Sequence, residues 1–190
     1  MLAPNDSDIV IVSAARTAIG RFRGTLAQVR APELGAAAIR EVVRRASLPS
    51  SAVDEVLMGN VLQAGLGQAP ARQATIAAGL PTAVGATTLN KVCGSGLKAA
   101  MLGAAMIRAG DARVIVAGGM ESMTGTPYLL PQARAGYRLG NGKLIDGMVR
   151  DGLWCTFEDQ HMGVSAEWIA EGYALSRQAL DAYSLESHRR

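Results

Sequence analysis

The strongest constraint on the fold is an alternation of predicted strands and helices along residues 8–119. Short apolar segments rich in β-branched residues are typical of strands buried on both faces. Such segments occur at 8–15, 53–62, 84–92 and 113–119. Between them, apolar residues recur at helical spacing in the segments 32–47, 69–81 and 95–109. The alternation predicts a layered α/β fold that contains parallel strand pairs.

The character of the sequence changes after Gly119. The stretch 120–163 has little periodicity and much glycine and proline. A segment of this length without regular structure indicates a long loop with a functional role. Helical periodicity returns at 165–176 and 177–190. We therefore predict two domains, an α/β core over residues 1–119 and an irregular and helical domain over residues 120–190.

Composition and charge narrow the function classes. Hydrophobic residues make up 49% and charged residues 18% of the 190 residues, which is typical of a globular protein. The net charge of +3 comes from scattered arginines, so no nucleic-acid partner is expected. The first residues lack the basic start of a secretory signal and no segment is long enough for a membrane span, which favours a cytoplasmic protein. Two cysteines without a C-x-x-C or Cys/His cluster predict no metal site.

Cys93 lies between a predicted strand and a predicted helix, in the segment "NKVCGSGLKA" (90–99). Free N–H groups and the positive end of the helix dipole at that position would stabilise a thiolate. Gly94 and Gly96 are expected to let the chain turn sharply, as at the nucleophile turn of serine hydrolases. A buried cysteine that only fills space is the alternative, and local context does not separate the two.

A third interpretation of the same turn is a dinucleotide site. The residues from Gly94 to Ala99 fit the pattern G-x-G-x-x-A after a strand, and Glu121 follows the next strand where a ribose-binding acid could lie. Two strand–helix units precede this turn, and a thiolate beside a pyrophosphate would repel it. Both points disfavour a dinucleotide-binding domain.

Four segments closely resemble the thiolases, especially the acetyl-CoA acetyltransferases. They are "SAARTAIGRFRG" (13–24), "NKVCGSGLKA" (90–99), "VIVAGGMESMT" (114–124) and "HMG" (161–163), and they occur in the family's order over nearly the whole chain. The resemblance implies the thiolase layered fold, a mixed sheet with helices on both faces. It implies only the N-terminal half of that fold, followed by part of the family's loop domain.

The resemblance also implies the site residues and the reaction. Cys93 matches the cysteine that is acylated by an acyl-CoA thioester, with its backbone N–H in an oxyanion hole. His161 and Met162 match residues of the pantetheine pocket, and Leu153 is a weaker candidate. The reaction implied is the transfer of an acyl group between two molecules of acetyl-CoA, which gives acetoacetyl-CoA, or the reverse thiolysis. Coenzyme A thioester is the substrate, and no separate cofactor is expected.

Several features of complete thiolases have no counterpart in residues 1–190. The family's activating histidine, its N-E-A-F stretch and its second cysteine are all missing, so we expect this chain alone not to catalyse condensation. The sequence can represent part of a longer enzyme, one chain of a split enzyme, or a CoA-binding or oligomerising module without catalysis. The segment 131–148 matches the loop that builds tetramers in many members, and this favours a homotetramer over a dimer. "DGLWCTFEDQHMG" (151–163) favours a short acyl chain.

Overall fold

The computed structural model describes residues 8–190. Residues 1–7, which were predicted not to begin a secretory signal, lie outside the described residues. The helices are α1 (Ala31–Arg45), α2 (Pro70–Ala77), α3 (Ser95–Ala109), α4 (Met162–Gly172) and α5 (Arg177–Arg189). The strands are β1 (Glu55–Gly59), β2 (Gly85–Leu89), β3 (Ile115–Gly119), β4 (Tyr128–Leu129), β5 (Ile145–Asp146), β6 (Trp154–Cys155) and β7 (Gln160–His161). Among the described helices, none combines the length and apolar character needed to cross a bilayer.

The chain divides into two compact units. We call the part up to Met148 the layered unit and the part Val149–Arg190 the hairpin–helix unit. The predicted functional division after Gly119 stays a prediction. By compactness alone, the segment 120–148 groups with the α/β part of the chain.

The layered unit is built on a three-stranded sheet in the order β2-β1-β3, with both pairings parallel. Gly59 of β1 stands in register with Leu89 of β2 and with Gly119 of β3, so all three strands end at one edge. Three of the four predicted strands are confirmed, as are the three predicted helices, of which α1 precedes β1 and α2 and α3 lie between the strands. The antiparallel part of the expected mixed sheet is not present among residues 8–190.

Helices cover both faces of this sheet, as expected. Val56 and Met58 of β1 point to one face and lie in a buried cluster with Ala71 and Ala74 of α2. The helix α1 packs against α2 on that side. On the opposite face, α3 packs against β3 and β1, and Gly103 lies against Ile115. Small residues at these contacts allow the helices to approach the strands closely.

The predicted strand at 8–15 is wrong. Residues 8–15 have no strand assignment, and Val10, Ile11 and Val12 are 59%, 90% and 69% exposed. A strand exists only through hydrogen bonds to a neighbouring strand, and among the described residues no strand pairs with this segment. The carbonyl of Ala14 instead accepts a hydrogen bond from the Arg45 guanidinium at 2.9 Å. High β propensity alone therefore does not make a strand here.

The stretch 120–163, which was predicted to be irregular, contains little regular structure. In the layered unit, β4 and β5 pair antiparallel, and the segment 130–144 between them has no further strand or helix. In the hairpin–helix unit, a π-helical turn (Val149–Leu153) leads into the antiparallel pair β6–β7. The helices α4 and α5 follow, which confirms the two predicted C-terminal helices.

Candidate active site

The candidate nucleophile lies at the carboxyl edge of the parallel sheet. Cys93 follows the end of β2 at Leu89 and precedes the start of α3 at Ser95, and it is exposed. In open α/β sheets this edge is where ligands bind, because loops from several strands meet there. The predicted placement between a strand end and a helix N-terminus is therefore confirmed, and the exposed residue is not a space-filling core cysteine.

The residue before the cysteine has a strained backbone. Val92 has φ 47°, in the left-handed region. A β-branched residue rarely adopts this conformation, because its side chain crowds the backbone, and the cost is about 1–3 kcal/mol. Strain of this kind persists only where the surrounding structure imposes it, and it concentrates at functional sites.

Hydrogen bonds of the turn impose that conformation. The hydroxyl of Ser95 accepts from the backbone N–H of Lys91 at 2.8 Å and donates to the carbonyl of Val92 at 2.6 Å. The N–H of Val92 donates to Asn90 Oδ1 at 2.8 Å, and the N–H of Gly94 donates to the carbonyl of Lys91 at 3.1 Å. The amide of Cys93 is not among these donors.

The expectation that Gly94 and Gly96 allow the chain to turn sharply at the cysteine is wrong. Gly94 has φ −86°, which any residue adopts, and an added Cβ would meet only Lys91 O at 3.5 Å. An added Cβ at Gly96 would have its nearest neighbour at 3.7 Å. Both are ordinary contacts. The left-handed position is Val92, so the sharp turn does not come from a glycine.

The glycine that the site requires lies on the neighbouring strand. A Cβ added to Gly59 would lie 2.6 Å from the Cβ of Ser95 and 2.9 Å from the N of Gly96. Real Cβ atoms essentially never approach this closely, so the bare backbone of Gly59 allows the N-terminus of α3 to lie against the sheet. No local sequence pattern marks Gly59, because the contact joins residues far apart in the chain.

Glu121 serves the structure of the same edge. Its carboxylate accepts from Asn60 Nδ2 at 2.7 Å and from the backbone N–H groups of Val61 and Leu62 at 2.8 and 3.1 Å. It thereby links the segment after β1 to the segment after β3. Since both carboxylate oxygens are engaged in this way, Glu121 does not fit the ribose-binding acid of a dinucleotide site.

An open cleft of about 340 Å³ lies beside Glu121. It is lined by the loop 16–27 and by the segment 121–124, together with Leu34. Cys93 does not line this cleft. The sulfur is reached from the exposed surface of its turn, so the cleft and the cysteine are separate features of the layered unit.

The three predicted pocket residues come together in the hairpin–helix unit. Leu153 ends the π-helical turn, immediately before Trp154, and Trp154 stands in register with His161 across the β6–β7 pair. Met162 follows as the first residue of α4 and is 41% exposed. Leu153 and Met162 therefore directly flank the hairpin that contains His161, while Cys93 belongs to the layered unit.

His161 has a defined hydrogen-bond role. Its Nδ1 accepts from the backbone N–H of Gly163 at 3.0 Å and so caps the N-terminus of α4. An accepting Nδ1 places the proton of the neutral ring on Nε2, an assignment that follows from this hydrogen bond. His161 therefore offers an N–H donor on the side of the ring away from the helix.

Neither Cys155 nor a group of metal ligands forms a second candidate site among the described residues. Cys155 lies half-buried in β6 and pairs with Gln160. Among residues 8–190, no three His, Cys, Asp or Glu side chains are grouped as a metal site would require. The expectation of no metal stays a prediction.

Comparison with known proteins identifies the family. The family described as "Thiolase, N-terminal domain" matches residues 9–190. The acetyl-CoA acetyltransferase of Pseudomonas aeruginosa is 57% identical over 183 residues, which cover 96% of this chain and 47% of that protein. The acetyl-CoA acetyltransferase of Cupriavidus necator is 53% identical over 184 residues, with 97% and 47% coverage.

A solved structure shows the same fold. The crystal structure of the Acat5 thiolase from Ascaris suum in complex with coenzyme A superimposes with a TM-score of 0.88 at 44% identity. The match covers 94% of this chain and 46% of that one. The chain thus spans about half the length of the curated relatives and of the solved structure that it matches.

Proposed function

This chain belongs to the thiolase family, and we propose that its Cys93 accepts an acetyl group from acetyl-CoA. The observation that carries the proposal is the exposed cysteine on a strained turn between the end of β2 and the start of α3. The relatives named acetyl-CoA acetyltransferase support the class of reaction, and the thiolase solved with coenzyme A supports the substrate class.

The proposed step is thioester exchange. The thiolate of Cys93 attacks the carbonyl carbon of acetyl-CoA, the bond from that carbon to the CoA sulfur breaks, and CoA leaves as a thiolate that takes up a proton. The backbone N–H of Cys93 is proposed to stabilise the oxyanion that forms on the substrate carbonyl, as the resemblance implies. The exchange is nearly balanced in energy because one thioester replaces another, so the acetyl group can be passed on.

The second step of the proposed reaction joins two acetyl units. A carbanion formed by loss of a proton from a second acetyl-CoA attacks the acetyl group on Cys93. A carbon–carbon bond forms, the bond to Cys93 breaks, and acetoacetyl-CoA and the Cys93 thiolate result; thiolysis is the reverse. We expect this chain alone to stop at the acetyl-cysteine, since the family's motifs for the two bases are missing from residues 1–190.

The test uses the two cysteines as a matched pair. The wild-type chain, Cys93→Ser and Cys155→Ser are incubated with acetyl-CoA, and the intact mass of each is measured. We expect a gain of one acetyl group in the wild type and in Cys155→Ser and none in Cys93→Ser. Equal acetylation of Cys93→Ser would contradict the proposal. Binding of CoA without any acetylation would instead favour the non-catalytic CoA-binding module.

We also propose that Leu153, His161 and Met162 contact the pantetheine arm of CoA. Their positions within or directly beside the β6–β7 hairpin support this, and the Nε2–H of His161 is a donor suited to an amide carbonyl of that arm. His161→Asn keeps a side chain that caps helices well but loses the reach of the ring. Weaker CoA binding with unchanged helix content is expected, and unchanged binding would contradict the assignment.

The assembly proposed is a homotetramer formed through the segment 131–148. The exposed apolar residues of this segment support it, since Leu139 and Leu144 are 100% and 62% exposed. Light scattering of the wild type and of Leu139→Ser tests it, with a shift towards smaller species expected for the variant. A cytoplasmic location and the absence of any separate cofactor complete the proposal.

A further inference from the structure

We propose that Ser95 is a positioning residue that holds Cys93 in place by fixing the left-handed conformation of Val92. The inference rests on the proposed role of Cys93 as the nucleophile. Ser95 itself does not touch a reacting atom in this account. It acts through the backbone of the turn from Lys91 to Cys93.

The hydroxyl of Ser95 bonds to the backbone on both sides of the strained residue. It accepts from the N–H of Lys91 at 2.8 Å, one residue before Val92, and it donates to the carbonyl of Val92 at 2.6 Å. Rotation of Val92 out of φ 47° would move these two backbone groups relative to each other. The two bonds therefore oppose the relaxation that the steric strain of Val92 favours.

The position of the hydroxyl is itself fixed. Ser95 is 5% exposed, and its Cβ lies against Gly59, where no room exists for a side chain. Its single proton is donated to Val92, and its lone pairs receive Lys91. A hydroxyl bonded in this way holds two backbone groups of the turn together, an arrangement that we call the clamp. It is not available as a proton carrier for the thiol.

The hydroxyl is not used to cap the helix that it begins. Serine near a helix start usually accepts from a backbone N–H two or three residues later. The N-cap of α3 is Gly94, and this helix has no side-chain cap. Both hydrogen bonds of the Ser95 hydroxyl point back into the turn, where the backbone N–H of Ser95 also donates to the carbonyl of Val92 at 3.1 Å. Loss of the hydroxyl therefore acts first on Val92 and Cys93 and not on α3.

The test is a double-mutant cycle between Ser95→Ala and Val92→Gly in a Cys155→Ser background, which leaves one thiol. The rate at which iodoacetamide alkylates Cys93 is measured for the parent, both single variants and the double variant of the 190-residue chain. We expect Ser95→Ala to slow alkylation about tenfold, the effect of losing a pair of modest hydrogen bonds. Glycine adopts the left-handed conformation freely, so the same change in the Val92→Gly background should cost about twofold or less.

Two outcomes of the rate measurements overturn the proposal: Ser95→Ala leaves the rate unchanged, or it slows alkylation by the same factor in both backgrounds. Thermal unfolding is measured alongside. If Ser95→Ala does not fold, recovery of a folded, reactive protein by Val92→Gly supports the clamp, and failure to recover shows a general structural role and refutes it. Acetylation by acetyl-CoA is scored separately in the parent, so a parent that alkylates but is never acetylated refutes the proposed function without deciding the role of Ser95.

Discussion

The two units of this chain differ in how much they bury. The buried cluster of the layered unit extends from Ala31 to Met120 and includes Ile39, Val56 and Met58, each 2% exposed or less. Within residues 149–190, all of which the structure describes, no residue is buried to this degree. Large side chains there, Trp168 and Tyr183 among them, are 74% and 80% exposed.

The difference shows what holds each unit in shape. In the layered unit, apolar burial and strand pairing fix the backbone strongly enough to maintain a strained residue at Val92. In the hairpin–helix unit, local hydrogen bonds and caps are the main constraints, such as Ser176 capping α5 and the ion pair of Arg177 with Asp181. Contributions of this kind are small, so we expect the hairpin–helix unit to be less rigid than the layered unit. The proposed nucleophile belongs to the layered unit, and the proposed pantetheine contacts belong to the hairpin–helix unit.

The largest expected effect is a difference in hydrogen exchange. Amides of β1 and α3 should exchange only on global unfolding, whereas those of α5 should exchange through local opening. We expect protection in β1 to exceed that in α5 by about a thousandfold or more, measured by native-state exchange and mass spectrometry. Similar protection of amides in the two units would contradict the expected difference in rigidity.

The next largest effect concerns the packing that supports Cys93. Gly59→Ala would force the N-terminus of α3 away from the sheet, at a cost of about 1–3 kcal/mol in the free energy of unfolding. Alkylation of Cys93 should slow as well. Gly118→Ala is the matched control, because a Cβ there would meet only the end of the Met58 side chain, with Sδ at 3.6 Å and Cε at 4.0 Å. Equal loss of stability in both variants, measured by urea unfolding, would refute the contact.

Much of the layered unit could be predicted from sequence. The periodicity of residues 95–109 predicted α3 at its observed bounds, and the helix ends at Gly110, whose left-handed φ of 82° is typical of a helix C-terminus. The predicted positions of β1, β2 and β3 also held, since each lies in a short segment made mostly of apolar and β-branched residues. The placement of Cys93 followed from these local patterns.

The remaining features of the fold and of the candidate site depend on contacts that local sequence patterns do not contain. The segment 8–15 has a strand-like sequence, but pairing decides whether a strand forms. The strain at Val92 depends on hydrogen bonds to Ser95, and the requirement for Gly59 depends on a helix that begins 36 residues later along the chain. The carboxylate of Glu121, which fitted a ribose-binding pattern, is engaged by backbone groups after β1.

A smaller effect is the pH dependence of stability within the layered unit. The pKa of Asp54 is lowered from its ordinary value of 3.8, because the backbone N–H groups of Val114 and Arg113 donate to its carboxylate. A lowered folded-state pKa adds stability that is present above the ordinary value and is lost as the pH falls through the folded value. The layered unit should lose stability as the pH falls below about 4, and Asp54→Asn should lose less.

Glu41 provides the control for that pH dependence. Its pKa is lowered to about 2 by hydrogen bonds to Arg44 and then Arg45 on the exposed face of α1. Salt screens such exposed pairs, so the contribution of Glu41 should largely disappear at high salt while that of Asp54 persists. Urea unfolding at low and high salt measures both. A pH dependence that is the same in Asp54→Asn as in the wild type would contradict the assignment.

The smallest expected effect is confined to the hairpin–helix unit. Ser176→Ala removes the hydroxyl that accepts from the N–H of Ala179 at 3.2 Å and should cost the helix α5 about 1 kcal/mol. Ser184→Ala, in the same helix, removes only a bond back to the carbonyl of Leu180 and should cost little. Circular dichroism should show lower helix content for Ser176→Ala alone. A matching loss in Ser184→Ala would show that capping is not the cause.

The central claim is that Cys93 on its strained turn is the acyl acceptor, and locating the acetyl group tests it most directly. The wild-type chain is incubated with acetyl-CoA, quenched in acid to preserve a thioester, digested and mapped by tandem mass spectrometry. We predict the acetyl group on the peptide that contains Cys93, attached to sulfur, with Cys155 unmodified. An acetyl group on Cys155 or on Lys91, or none on Cys93, would contradict the account.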